Sequence, residues 1–114
     1  MGDNQKDAAT TAAGLAGGLA HLSALQRDFA VWNAAHFAPR PPEFFALELA
    51  GEAGEVANNE KKVWKGKAVP HEALQDEAAD VLISVLNYAN ARGIDLGAAV
   101  GKKMGILEER QRRE

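Results

Sequence analysis

The sequence predicts an all-α fold, a bundle of four helices that is completed by homo-oligomerisation. Apolar residues recur at helical spacing through most of the chain, and proline or glycine interrupts the pattern between successive helices. No stretch shows the alternation of a β-strand, and no internal repeat is present. The length of 114 residues fits one small domain.

The first half of the chain predicts a leader and two helices. Residues 1–17 are small, polar or glycine-rich and are expected to form a disordered leader, which leaves 18–114 as the domain. A first helix is expected from about Leu19 to Phe37, because large apolar residues recur on one face: Leu22, Leu25, Phe29 and Trp32. A second helix is expected from Pro42 to Lys65, with Gly66 as its C-terminal cap.

The second half predicts two further helices. A third is expected to begin at Pro70 and run to Arg92, with Gly93 as its stop. A fourth is expected from about Asp95 or Leu96 to Arg112, where Asp95 is the candidate N-cap. Its basic end suits the helix dipole.

Composition excludes several classes of protein. The formal charge of −3 gives no electrostatic case for nucleic acid, and the absence of cysteine excludes disulfides and thiolate metal sites. No apolar run is long enough for a membrane span and no signal peptide is evident, so a cytoplasmic protein is expected. Much of the 46% hydrophobic content is alanine, which buries little area and favours a homodimer or homotetramer.

Two acidic signatures are the most informative feature of the chain: Glu52-Ala-Gly-Glu55 and Glu77-Ala-Ala-Asp80. Residues three apart share one helix face, so antiparallel packing of the two helices would bring four carboxylates together. Such a cluster repels itself strongly and is hard to explain without a cation. Ligands that are all oxygen indicate Mg²⁺, Mn²⁺ or Ca²⁺ rather than Zn²⁺.

The simpler interpretation is a solvated acidic face, and the neighbouring residues argue against it. Both signatures lie in stretches that are otherwise apolar, which predicts buried carboxylates that need partners. Polar residues also extend each signature along its helix face: Glu48 and Asn59 on the second helix, and Ser84 and Asn87 on the third.

These motifs resemble the all-α nucleoside triphosphate pyrophosphohydrolases, the MazG-like group that includes dCTP pyrophosphatases and relatives of dimeric dUTPases. The resemblance spans roughly Leu22 to Arg110 and rests on Glu-x-x-Glu followed by Glu-x-x-Asp. Gly54 and the continuation Asp80–Ile83 also match the pattern.

The resemblance implies Mg²⁺-dependent hydrolysis of a (d)NTP, with dCTP or a modified nucleotide as candidates, to a (d)NMP and pyrophosphate in nucleotide-pool sanitation. Mn²⁺ is an alternative ion. The predicted metal ligands are Glu52, Glu55, Glu77 and Asp80, with Glu52 or Glu55 as the general base. The resemblance places Trp32, His36 and Trp64 near the base, and Lys103 and Arg110 near the phosphates.

Other polar residues are candidates for substrate contacts on their own chemistry. Lys62 and Lys65 are expected to neutralise phosphates, while Ser84 and Asn87 are candidates for hydrogen bonds to the sugar or base. The chain also departs from the family pattern. Gly51, Asn58 and Leu107 stand where two glutamates and an asparagine are common, which leaves Glu48 as a substitute for the glutamate missing at Gly51.

Two other classes of protein are considered. A di-iron bundle would also bury carboxylates among four helices, but no histidine lies three residues after any motif carboxylate, so its Glu-x-x-His motifs are absent. A non-catalytic helical interaction or assembly module remains the alternative, and it predicts neither hydrolysis nor metal dependence.

Overall fold

The computed structural model describes the backbone of residues 2–114 and the side chains of residues 11–114. Within residues 2–114 the chain forms four helices and no strand: α1 (Gly2–His36), α2 (Pro42–Trp64), α3 (His71–Arg92) and α4 (Leu96–Arg113). The predicted all-α class and the number of helices are confirmed. None of the described helices is both long and apolar enough to cross a membrane.

The start of α1 differs from the expected one. The helix begins at Gly2 instead of near Leu19, so it includes the segment that was predicted to be a disordered leader. That segment is rich in alanine, the residue with the highest intrinsic helix propensity, and this preference favours helix without any large apolar face. The domain boundary at residue 18 stays a prediction.

The other helix ends follow the predicted caps. After α2, Gly66 has φ +84° and donates its N–H to the Val63 carbonyl, while Lys67 donates to Lys62, both at 2.9 Å. This is the Schellman arrangement, in which a left-handed residue lets the chain turn back on the last carbonyls. Gly93 ends α3 in the same left-handed region, with φ +67°.

The chain divides into two compact units, one containing α1 and α4 and the other spanning His36–Gly93 with α2 and α3. In the first unit, Ser23 and Gln26 of α1 hold the segment that starts α4. Gln26 is 6% exposed, donates to the Ile94 carbonyl at 2.6 Å and accepts from the Leu96 N–H at 2.8 Å. One amide therefore pairs a donor and an acceptor of the connecting backbone.

Asp95 caps α4 as predicted. Its Oδ1 accepts from the Ser23 hydroxyl at 2.6 Å and from the Ala98 N–H at 3.2 Å. Both bonds stabilise the charged form and so lower the pKa of Asp95 below its usual range, and the bond from Ser23 has the larger effect. The N-cap is thus fixed both by its own helix and by α1.

The second unit is an antiparallel hairpin, in which α2 packs along α3 after a short connection. Its buried apolar residues are few: Phe45, Leu86 and Ala89. The apolar stretch around the second acidic signature, from which buried carboxylates were predicted, is partly open, since Leu82 and Ile83 are 49% and 42% exposed. Within the hairpin only one face of α3 can pack against α2, so the rest of the apolar run is left open in a single chain.

Gly97 generates a stability prediction with a matched control. A Cβ at Gly97 would overlap the Leu19 carbonyl oxygen and the Ser23 hydroxyl, whereas a Cβ at Gly105 meets nothing within 4 Å. Gly97→Ala should therefore lower the free energy of unfolding by about 1–3 kcal/mol. Gly105→Ala should raise it by about 0.5–1 kcal/mol, because glycine is the less favourable residue inside a helix.

Urea unfolding at one fixed protein concentration measures both variants. Equal effects of the same sign would contradict the close approach of α1 and α4 at Gly97.

Candidate functional site

Carboxylates from α2 and α3 meet around Glu77. Glu52, Glu55 and Glu77 each place one oxygen within 4.8 Å of the others, and Glu77 forms a second such group with Asp76 and Asp80. All four predicted motif carboxylates are therefore gathered, but in two groups that share Glu77 instead of one group of four.

Helix geometry explains this arrangement. Glu52 and Glu55 lie three residues apart on one face of α2, as do Glu77 and Asp80 on α3. The antiparallel hairpin sets the two faces against each other. Glu77 of α3 therefore lies close to Glu52 and Glu55 of α2 as well as to Asp80 of its own helix.

The cluster is open to solvent on one side. Glu52, Glu77 and Asp80 are half-buried, whereas Glu55 and Asp76 are exposed. The expectation of buried carboxylates is therefore wrong in degree, for the same reason that Leu82 and Ile83 are exposed: the hairpin covers each helix along one face only. An open side leaves room for a cation or a substrate to enter.

One oxygen of Glu77 is unsatisfied. Its Oε2 atom has no solvent exposure and accepts no hydrogen bond. A buried oxygen without a donor loses its hydration without compensation, which carries a free-energy cost. A proton or a cation at this position would remove that cost.

The surroundings of Glu77 favour its neutral form. A side-chain hydrogen bond with Glu55, which exists only when a proton is present, is the largest factor that raises the pKa of Glu77 to about 7. Removal from water, a similar bond with Glu52 and the negative charges of both glutamates act in the same direction. Without a cation, the cluster therefore holds a proton near neutral pH.

Asp76 is the site residue that sequence reasoning missed. It is exposed, and it joins Glu77 and Asp80 in the second carboxylate group. The signal was present, because Asp76 lies four residues before Asp80 and so on the same helix face.

The aromatic candidates are accessible. Trp64, in the second unit, is 86% exposed, and Trp32 in the first is 49% exposed, with its ring 5.5 Å from that of Phe29. His36 is exposed beside Phe37, at 6.4 Å between ring centres. Neither tryptophan is a core residue, and their role in base recognition stays a prediction.

The polar candidates on the α2–α3 hairpin differ in burial. Ser84 is buried, Asn87 is half-buried and Glu48 is exposed, and Glu48 belongs to neither carboxylate group among the described residues. Their roles stay predictions.

The basic candidates fall into separate places. Lys62 and Lys65 line a depression of about 270 Å³ together with Asn58, Lys61 and Lys67. Arg110 lines another depression, whose lining among residues 11–114 belongs to α4, and Lys103 is exposed on that helix. Because Trp32, Lys103 and Arg110 belong to the other unit, their predicted part in the site remains a prediction.

Comparison with known proteins agrees with this geometry. The model of one protein family, the MazG nucleotide pyrophosphohydrolase domain, matches residues 40–113, which include α2, α3, α4 and every carboxylate of the cluster. No curated protein matches the chain significantly. Since the family match covers more than half of the chain, this protein belongs to the MazG nucleotide pyrophosphohydrolase family.

Proposed function

We propose that this protein is a Mg²⁺-dependent pyrophosphohydrolase that converts a (d)NTP to a (d)NMP and pyrophosphate, and so removes unwanted nucleotides from the pool. The observation that carries the proposal is the convergence of Glu52 and Glu55 on Glu77, whose buried oxygen lacks a donor. Family membership supports the reaction class. dCTP or a modified nucleotide is the proposed substrate.

The residues present fit a hard divalent cation. All the candidate ligands are carboxylates, one side of the cluster is open, and Glu77 carries a buried oxygen without a donor. Glu52, Glu55, Glu77 and Asp80 would hold Mg²⁺, or Mn²⁺ in its place. The bound ion would neutralise phosphate charge and lower the pKa of an attacking water.

The chain's own residues supply the remaining chemistry. Glu52 or Glu55 accepts the proton of the attacking water, and the exposure of Glu55 leaves its carboxylate open to that water. Lys62 and Lys65 neutralise the phosphates from the end of α2, and Lys103 and Arg110 add charge from α4. Glu48 extends the acidic face of α2 by one turn.

Base and sugar recognition falls to the aromatic and amide side chains. The exposed indole of Trp64 offers a flat surface for stacking, and Trp32 and His36 are the other candidates for the base pocket. Ser84 and Asn87 would hydrogen-bond the sugar or the base edge.

The alternative is a non-catalytic module that uses the same helices for assembly. The apolar residues left exposed on α3 and α4 favour it as a second candidate: Leu82, Ile83, Val100 and Leu107. In such a module, the mutual repulsion of the carboxylates gathered around Glu77 would serve no purpose.

A hydrolysis assay tests the proposed reaction. With Mg²⁺ and a panel of ordinary and modified (d)NTPs, the protein should release pyrophosphate and not orthophosphate. Glu55→Gln and Asp80→Asn should each lower turnover by at least roughly 100-fold, because each removes a ligand or the base without changing side-chain size. Glu108→Gln, at an exposed ion pair on α4, is the control and should retain activity.

Circular dichroism should show the same helicity in all three variants. Near-normal activity of either site variant at saturating Mg²⁺ would refute the site assignment.

The raised pKa of Glu77 predicts how pH affects the metal-free protein. Glu77 keeps a proton up to about pH 7 in the fold, whereas its carboxyl titrates near 4.5 when unfolded. The folded state therefore binds more protons in that window, so the free energy of unfolding in EDTA should rise as pH falls from 8 to 5. Glu77→Gln, which is neutral at every pH, should lack this component.

Magnesium should reverse the trend. Protons compete with the ion, so the added stability should decline as pH falls. It should reach about 2.7 kcal/mol at one hundred times the dissociation constant. Identical urea curves for wild type and Glu77→Gln at both pH values, with and without Mg²⁺, would show that the cluster is merely solvated.

Exposed apolar residues lead us to propose a homodimer or a homotetramer built from dimers. Val100 and Leu107 of α4 are 37% and 51% exposed, and Leu82 of α3 is similarly open. Leu82→Lys should therefore shift the chain towards monomer in light scattering, because a charge would lose its hydration in an apolar interface. Glu108→Lys is the control, and a stable wild-type monomer at micromolar concentration would refute the proposal.

A further inference from the structure

One side of α2 is exposed to solvent and yet carries no charge over its middle part. Leu47 is 75% exposed on this side. Smaller apolar residues that are also exposed follow it along the helix: Ala50, Gly51, Gly54 and Ala57. The solvent-facing side of a surface helix normally carries polar and charged residues. This side of α2 therefore has the composition of a covered surface, although the described residues of a single chain leave it open.

Helical spacing shows that these residues form one face. Gly54 follows Leu47 by seven residues, which is almost two turns, and Asn58 follows it by eleven, which is about three. Val56 follows Leu47 by nine residues, about two and a half turns, so it lies on the opposite side and is half-buried. The face that contains Leu47 therefore points away from α3. We call it the α2 outer face, and its members are Glu43, Leu47, Ala50, Gly51, Gly54, Ala57, Asn58, Lys61 and Lys65.

The two ends of the α2 outer face carry opposite charges. Glu43 lies in the first turn of α2, Lys61 in the last turn, and Lys65 directly after it. All three are exposed, and within residues 11–114 none takes part in an ion pair. The helix dipole accounts for the signs of these charges, but not for the uncharged surface between them. A face that is acidic at one end, apolar in the middle and basic at the other end is complementary to a copy of itself turned end to end.

We propose that the α2 outer face binds the same face of a second copy of this chain, with the two helices antiparallel around a two-fold axis near Gly54. Residues 43 and 61 are equally distant from residue 52, and residues 43 and 65 from residue 54, which places the axis there. Glu43 then lies between the partner's Lys61 and the partner's Lys65, which are one turn apart. The axis repeats this contact, so each pairing forms twice.

The middle of the face suits a close crossing of two helices. A Cβ added at Gly51 or Gly54 would meet nothing within 4 Å in the single chain, so the surface is open where the helices would cross. The distance between packed helices depends on the side chains at the contact, and small residues let the two backbones approach. Leu47 would lose its exposure between the partner's Asn58 and the aliphatic stem of the partner's Lys61.

This contact goes beyond the oligomer proposed above, because it uses α2 instead of the exposed apolar residues of α3 and α4. A chain with two different faces that each bind their own copy forms a tetramer, whereas either face alone gives a dimer. The contact also does not depend on the proposed reaction.

Cysteine cross-linking tests the position of the axis, because the chain contains no cysteine of its own. Gly54→Cys should form a disulfide between two copies under mild oxidation, since a residue near the axis lies opposite itself and a disulfide needs Cα atoms within about 7 Å. Glu60→Cys is the matched control. It is exposed on the same helix but points about a third of a turn away from Gly54, so it should stay monomeric on a non-reducing gel.

Charge reversal tests the pairing at the ends. Glu43→Lys places like charges together at two symmetric sites and should raise the dissociation constant about tenfold in light scattering across a dilution series. The triple variant Glu43→Lys/Lys61→Glu/Lys65→Glu restores opposite charges and should associate like wild type. Glu60→Lys makes the same charge change outside the face and should have no effect. Circular dichroism should show equal helicity in all of these variants.

The outcomes separate this contact from the other proposals. A wild type that stays monomeric, equal cross-linking of Gly54→Cys and Glu60→Cys, or no restoration in the triple variant would overturn it. Gly54→Cys combined with Leu82→Lys should still cross-link, and loss of the cross-link would show that α2 is not a separate interface. Absence of triphosphate hydrolysis would refute the proposed reaction and leave this contact standing.

Discussion

Repulsion among the carboxylates around Glu77 is the constraint on which the function of this chain depends. Glu52 and Glu55 belong to one helix and Glu77 to another, so the folded hairpin holds together charges that separate on unfolding. Apolar packing at Phe45, Leu86 and Ala89 must offset that repulsion. In the proposed function, a bound cation would offset the same repulsion.

Charges of opposite sign lie at different places along α2. Its middle presents Glu52 and Glu55 beside Glu77, and its end presents Lys61 and Lys62, with Lys65 and Lys67 just beyond. In the proposed function, the negative charge would attract a cation, and the positive charge about two turns later would attract phosphate.

Most of the fold could be predicted from the sequence because the residues at the helix ends have clear conformational preferences. Gly66 and Gly93 occupy the left-handed positions that glycine tolerates best, and Asp95 caps α4. The start of α1 could not be predicted from apolar periodicity, because an alanine-rich helix has none. The exposure of Leu82 could not be predicted either, since periodicity shows which residues are apolar and not which faces find a partner.

The site was predictable to the same extent. Helical spacing was sufficient to predict that Glu52 and Glu55 meet Glu77 across the hairpin and that Asp80 lies beside Glu77 on α3. It could not show that Glu77 lies between two groups, because that depends on the rotation of α3 against α2. The depression lined by Lys62 and Lys65 also required the structure, since only the turn at Gly66 places Lys67 beside residues of the preceding helix.

The carboxyls of Asp95 and Glu77 have opposite pKa shifts. The two shifts distinguish a structural role of an acidic residue from a proposed functional one. Asp95 receives hydrogen bonds from Ser23 and Ala98, which lower its pKa and stabilise the start of α4. Glu77 receives no such donor at its buried oxygen, and Glu55 and Glu52 raise its pKa to about 7. Hydrogen bonds within the fold stabilise the charged carboxylate of Asp95. Glu77 has no donor at its buried oxygen, and in the proposed function a divalent cation would supply the missing positive charge and keep all three carboxylates ionised.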